Sequence, residues 1–133
     1  MKVLNFGSLN LDYVYQVESI LIPGETQASK SRQTFCGGKG LNQSIALAKA
    51  GVPVYHAGIV GTDGDILLEA CKEAGVNTKY IRRLPVKGGH TMIQVDKNAQ
   101  NCIILYGGTN QMQTKEFVDE VLADFGEGDY LML

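Results

Sequence analysis

The chain is short of several features that mark whole classes of protein, and each shortage removes a class. Its three cysteines, Cys36, Cys71 and Cys102, are odd in number, far apart and without C-x-x-C spacing. They read as reduced structural thiols of a reducing compartment, which predicts a cytoplasmic address and excludes a disulfide frame or a zinc site. His56 and His90 have no clustered ligand partners, so surface or packing roles are expected of both. No run approaches the roughly 18 apolar residues of a membrane span. Met1-Lys2-Val3-Leu4-Asn5 also lacks the longer apolar stretch of a signal peptide. A formal charge of −2 without a Lys/Arg cluster leaves no electrostatic footprint for nucleic acid or an anionic membrane surface. What remains is ordinary: 133 residues, 44% of them apolar, suffice for one domain with a real core.

The most informative stretch is Phe35-Cys36-Gly37-Gly38-Lys39-Gly40-Leu41-Asn42-Gln43. Leu41, Ile45 and Ala48 recur at i, i+4 and i+7, one side of a helix, so the glycines fall at its N-terminus. That end carries unpaired N–H groups and the positive end of the helix dipole, and glycine lets an electron-rich oxygen approach without meeting a Cβ. Lys39 adds a charge and Asn42 an amide. Glycines that merely turn the chain into a helix are the competing interpretation. Two familiar loops are excluded. A Walker A loop needs Gly and then Ser or Thr where this chain has Gln33 and Gly40, and a dinucleotide fingerprint needs a third glycine where it has Gln43.

Taken in order, Val3, Leu4 and Phe6 suit a buried strand emptying at Gly7-Ser8, the end where open α/β sheets collect ligands. If Leu9 to Asp12 stays extended, Asn10 and Asp12 share one side and Leu9 and Leu11 the other. A carboxylate accepts from two hydroxyls at once and an amide offers a donor beside an acceptor, the chemistry of a polyol clamp. Asn and Asp are also common turn residues, which leaves a second interpretation open. Tyr13 to Val17 alternates as a half-buried strand, and Ala28 to Phe35 is a polar, partly solvated one. A helix from about Lys39 to Ala50, a strand Val54 to Val60 and a helix capped by Asp63 or Asp65 and ended by Gly75 give β-α-β order. Tyr80 to Leu84, Thr91 to Asp96 and Cys102 to Tyr106 then predict an antiparallel insert. A helix capped by Thr114, with Phe117, Val121 and Phe125 at i, i+4 and i+8, leads into a strand at Asp129 to Leu133. Leu131-Met132-Leu133 resembles the middle of a buried strand, so residues 1–133 are expected to be the N-terminal portion of a longer domain.

Five blocks in order resemble the N-terminal part of the ribokinase-like (PfkB-type) carbohydrate kinases. They are Gly7-Ser8-Leu9-Asn10-Leu11-Asp12, Pro23-Gly24-Glu25-Thr26, Gly37-Gly38-Lys39-Gly40-Leu41-Asn42-Gln43, Gly61-Thr62-Asp63 and Gly107-Gly108-Thr109-Asn110. Lysine followed by Asn-Gln is the more typical of the ribokinase branch. The resemblance implies a doubly wound, mostly parallel α/β domain with a small β-sheet lid, drawn from about residues 13–35 and 80–106, that often serves as a homodimer interface. It implies that Asn10, Asp12, Gly38, Lys39 and Asn42 contact sugar hydroxyls. It further implies ATP as phosphoryl donor, magnesium on its phosphates and a monovalent-cation site. Two departures stand out. Gly64 follows Asp63 at once, where the family usually has two residues between Asp and Gly, and this segment is about two residues shorter. The family's Gly-Ala-Gly-Asp motif, with its aspartate base, is not in the chain, and neither are most ATP contacts. The expected activity is phosphorylation of a hydroxymethyl group of a pentose-like sugar, with the chain alone inactive. The alternative is a non-catalytic sugar- or nucleoside-binding module that associates through its lid strands.

Overall fold

The computed structural model describes residues 1–133 and contains two four-stranded sheets. The first is parallel throughout and is built from β1 (Val3–Phe6), β4 (Val54–Val60), β5 (Asn77–Arg83) and β8 (Tyr130–Met132), in the order β5-β4-β1-β8. The second joins β2 (Asn10–Gln16), β3 (Ser31–Gly37), β6 (His90–Val95) and β7 (Asn101–Tyr106), in the order β3-β2-β6-β7. Helices α1 (Lys39–Lys49) and α2 (Asp65–Ala74) cover one face of the parallel sheet and α3 (Lys115–Leu122) the other. No helix is long and apolar enough to cross a membrane.

Alternation along β1 explains the two layers. Val3 joins Leu41, Val54, Val60, Leu67 and Cys71 on the α1–α2 side, while Leu4 and Phe6 join Ala57, Ile59, Tyr80, Phe117 and Val121 on the α3 side. From β1 the chain moves outward through β4 to β5, then returns past β1 to place β8 on its other side. The strand order therefore reverses beside the C-terminal end of β1, the switch point at which open α/β sheets leave a crevice.

Several sequence expectations hold closely. Strand β4 occupies the predicted Val54–Val60, α1 starts at Lys39, and Gly75 ends α2 at φ +88°. Thr114 caps α3 by accepting the Phe117 N–H at 3.1 Å. Others need correction. The strand predicted at Tyr80 to Leu84 is β5, a member of the parallel sheet and not of the lid, because the β4-α2-β5 crossover returns it beside β4. The lid sheet is accordingly 10–16, 31–37, 90–95 and 101–106, in place of 13–35 and 80–106. It is also mixed: β2–β3 and β6–β7 are antiparallel, but β2 and β6 run parallel. Neither Asp63 nor Asp65 caps α2. Gly64 occupies the cap position, Asp65 pairs with Arg83, and Asp63 Oδ1 accepts the Gly88 N–H at 3.0 Å.

Candidate functional site

Strand β1 ends where α1 begins, and two glycines make that junction possible. Gly7 and Gly40 pack backbone on backbone, so a Cβ on either would collide with the other's Cα. Gly38 has φ +101°, and a Cβ there would stand 2.7 Å from the Ser8 carbonyl oxygen. The first turn of α1 is thus laid directly on the Gly7-Ser8 loop: the Leu41 N–H donates to Ser8 O at 3.0 Å, and that of Asn42 to Gly38 O at 3.0 Å. Gly37 has a different duty, because a side chain there would collide with Asp12 Oδ2.

Below the junction runs a buried polar chain. Asn5 Nδ2 donates to Gly40 O at 2.9 Å and to Ser44 Oγ at 3.0 Å. Ser44 Oγ lies 2.8 Å from His56 Nδ1, and His56 Nε2 lies 3.0 Å from the Gly7 carbonyl. A carbonyl only accepts, so Nε2 carries the hydrogen and Nδ1 accepts from the Ser44 hydroxyl. Burial lowers the His56 pKa from its ordinary value against an opposing contribution from Gly7, which suits this neutral form. The chain ties β1, α1 and β4 together directly under Gly7 and Gly40.

Above the junction lies a cleft of about 570 Å³ whose lining includes all five predicted residues, Asn10, Asp12, Gly38, Lys39 and Asn42. Asp12 and Asn10 reach it from the root of β2, and Lys39 and Asn42 stand exposed at the start of α1. Asp12 Oδ1 accepts from Thr91 Oγ at 2.7 Å, while Asn10 Oδ1 accepts from Asn110 Nδ2 at 2.7 Å. Ile93, Ile103 and Leu105 supply an apolar wall from the lid. The cleft therefore sets one carboxylate, one ammonium and several amides against an apolar cover, an arrangement able to hold a small polyhydroxylated molecule.

Thr91 was missed in the sequence, where nothing distinguishes it from any other strand threonine. Asn110 lay within a recognised block, but its partner is 100 positions away. One run, Gly126-Glu127-Gly128-Asp129, fits Gly-x-Gly-Asp loosely yet does not belong to the site. Asp129 precedes β8 and accepts from the backbone N–H groups of Lys2 at 2.8 Å and Gly126 at 3.1 Å. It sits at the N-terminal end of the parallel strands, opposite the cleft.

Together these features define the class: a doubly wound α/β domain with a polar cleft at its switch point, roofed by a small β-sheet. The sequence matches the family described as pfkB family carbohydrate kinase over residues 1–133, and the chain belongs to that family. It is 40% identical over 121 residues to ribokinase of Staphylococcus aureus (strain COL), covering 88% of this chain and 40% of that protein. Ribokinase of Arabidopsis thaliana is 34% identical over 119 residues, covering 86% of this chain and 31% of that one. The solved structure of Arabidopsis thaliana ribokinase complexed with ribose and ATP aligns with a TM-score of 0.71 at 33% identity, over 82% of this chain and 36% of that one. The ribokinase of Cryptococcus neoformans in complex with ADP aligns with a TM-score of 0.75 at 35% identity, over 81% and 35%. The chain thus spans 31 to 40% of the length of these two curated relatives.

Proposed function

We propose that this chain forms the sugar-binding and lid part of an ATP-dependent carbohydrate kinase that phosphorylates a hydroxymethyl group of a pentose-like sugar. The observation that carries this reading is the convergence of Asn10, Asp12, Gly38, Lys39 and Asn42 on one cleft at the switch point. The ribose and ATP of the Arabidopsis relative and the ADP of the Cryptococcus relative support it. Asp12 would accept from sugar hydroxyls, Asn10 and Asn42 would orient them, and Lys39 would complement their oxygens. Phosphoryl transfer depends mainly on such positioning and on electrostatics. The apolar wall of Ile93, Ile103 and Leu105 would keep water from the acceptor.

These residues do not fit the nucleotide. The cleft is lined by a single carboxylate, that of Asp12, and Asp129 lies at the opposite end of the parallel strands. In this reading the aspartate base, the ATP site, magnesium and any monovalent-cation site belong to the part of the kinase domain that this chain does not span, and the chain alone is inactive. Exposed Ile104 and Tyr106 on the open edge strand β7 support a homodimer formed through the lid. Free Cys36, Cys71 and Cys102 support a reducing, cytoplasmic address.

Titration calorimetry with D-ribose, 2-deoxy-D-ribose, a nucleoside and a ketohexose tests the reading. Heat is expected with at least one pentose, and Asp12→Ala abolishes it. Absence of heat with every pentose overturns sugar binding, and ATP-dependent phosphorylation by the chain alone overturns the division of labour.

A further inference from the structure

Asn110 is held in an orientation that admits no exchange of its amide atoms. Its side chain spans the backbone of Leu9: Oδ1 accepts from the Leu9 N–H at 3.0 Å, and Nδ2 donates to the Leu9 carbonyl at 3.3 Å. A peptide N–H only donates and a carbonyl only accepts, so the backbone itself dictates which atom of Asn110 is nitrogen. The other Nδ2 hydrogen goes to the Asn10 side chain at 2.7 Å, and the atom that receives it must be Asn10 Oδ1. Asn10 Nδ2 is then the group left for the cleft, and it has no partner in the protein.

The pair is also shut in from behind. A Cβ on Gly89 would collide with Asn110 Nδ2, and the Gly89 carbonyl is itself fixed by the Leu11 N–H at 3.1 Å. Asn110 lies in the 3-10 turn Gly108–Gln111 directly after β7, and that turn is anchored by fully buried Thr109, whose Oγ donates to the Ile59 carbonyl at 2.8 Å. Asn110 cannot turn without losing both bonds to Leu9, and Asn10 is held in turn by its bond to Asn110.

We propose that Asn110 is a positioning residue that locks Asn10 with its NH2 toward the cleft, so that this corner requires an acceptor on the ligand. Asp12 requires the reverse. Its Oδ1 is engaged by Thr91, and its free oxygen can only accept. The clamp is therefore polarised, with a donor at Asn10 and an acceptor at Asp12. It selects neighbouring hydroxyls in a defined hydrogen-bonding direction. A ligand presenting an ammonium group at the Asn10 corner, with no lone pair to offer, is rejected. This inference rests on the sugar-binding reading of the cleft for its consequence but not for its geometry.

Two measurements test it. In the unliganded 15N-labelled chain, both side-chain amide hydrogens of Asn110 should exchange slowly and those of Asn10 fast; the opposite pattern overturns the proposal. Asn110→Asp keeps an acceptor for the Leu9 N–H but can donate neither to the Leu9 carbonyl nor to Asn10, whose amide then turns and presents its oxygen to the cleft. By calorimetry D-ribose affinity should fall about tenfold, with the circular dichroism spectrum preserved. Asn110→Ala leaves the Leu9 N–H unpaired but frees Asn10 to choose, so it should weaken ribose binding less than Asn110→Asp. A purely structural role predicts the reverse order of affinities, and that order overturns the proposal. If the parent chain binds no ribose, the sugar reading fails and the exchange data alone decide the orientation.

Discussion

The two sheets contain four strands each and are stabilised in opposite ways. In the parallel sheet, all four residues of β1 are buried and β4 is buried at six of seven positions, with helices on both faces. In the lid, all six residues of β7 are exposed, Ile103, Ile104 and Leu105 among them, and helices meet the sheet only where Leu11, Tyr13 and Cys36 pack on the α1–α2 layer. One sheet is the interior of the molecule and the other an attachment to it. The cleft lies where they join, with Asn10 and Asp12 on the lid strand β2 and Lys39 and Asn42 on α1. A site assembled this way takes its precision from the rigid side and its closure from the exposed side.

Substitutions that treat the two sheets alike should expose this difference. Leu41→Ala, which removes a fully buried side chain from the α1–α2 layer, should cost about 2–5 kcal/mol in urea unfolding. A cost under about 1 kcal/mol would mean the parallel layers are less tightly packed than described. Gly40→Ala forces β1 and α1 apart and should cost about 1–3 kcal/mol. Because the same shift displaces Lys39 and Asn42, the sugar heat should disappear while the chain stays folded.

His56 distinguishes the sheets by pH. Its folded-state pKa lies below that of the unfolded chain, so acid favours unfolding. Stability from this group should be constant above about pH 6.5 and fall below it, by no more than about 1.4 kcal/mol per pH unit. Melting temperatures from pH 7.5 to 5.5 check the sign, and His56→Asn should flatten the slope. At the small end, Ile104→Ser in the lid should change stability by less than about 0.5 kcal/mol. Its effect should appear in sedimentation, as a loss of self-association.

The part of the fold that rests on local periodicity was legible. Leu41, Ile45 and Ala48 announced α1, and the apolar Val54–Val60 run announced β4. What was not legible was allegiance. Asn77–Arg83 looks like any short strand, and only the crossover through α2 assigns it to the parallel sheet. Asp63 looked like a cap because it precedes a helix, yet its carboxylate serves Gly88 across 25 positions. In the site, Asn10 and Asp12 were readable from a period of two, and Lys39 and Asn42 from the glycines around them. Thr91, Asn110 and the Asn5–Ser44–His56 chain were hidden because each acts through a partner distant in sequence.

The parallel register of β2 on β6 also dictates an order of assembly. Each antiparallel pair of the lid is a nearby partnership, but Asp12 and Thr91 are separated by 79 positions, and the intervening chain contains α1, β4, α2 and β5. Closing so long a loop is entropically costly until that chain has condensed. As the polypeptide leaves the ribosome, the roof should therefore close only after β4 and β5 have joined β1, while β8, which pairs with β1 across a still longer separation, joins later.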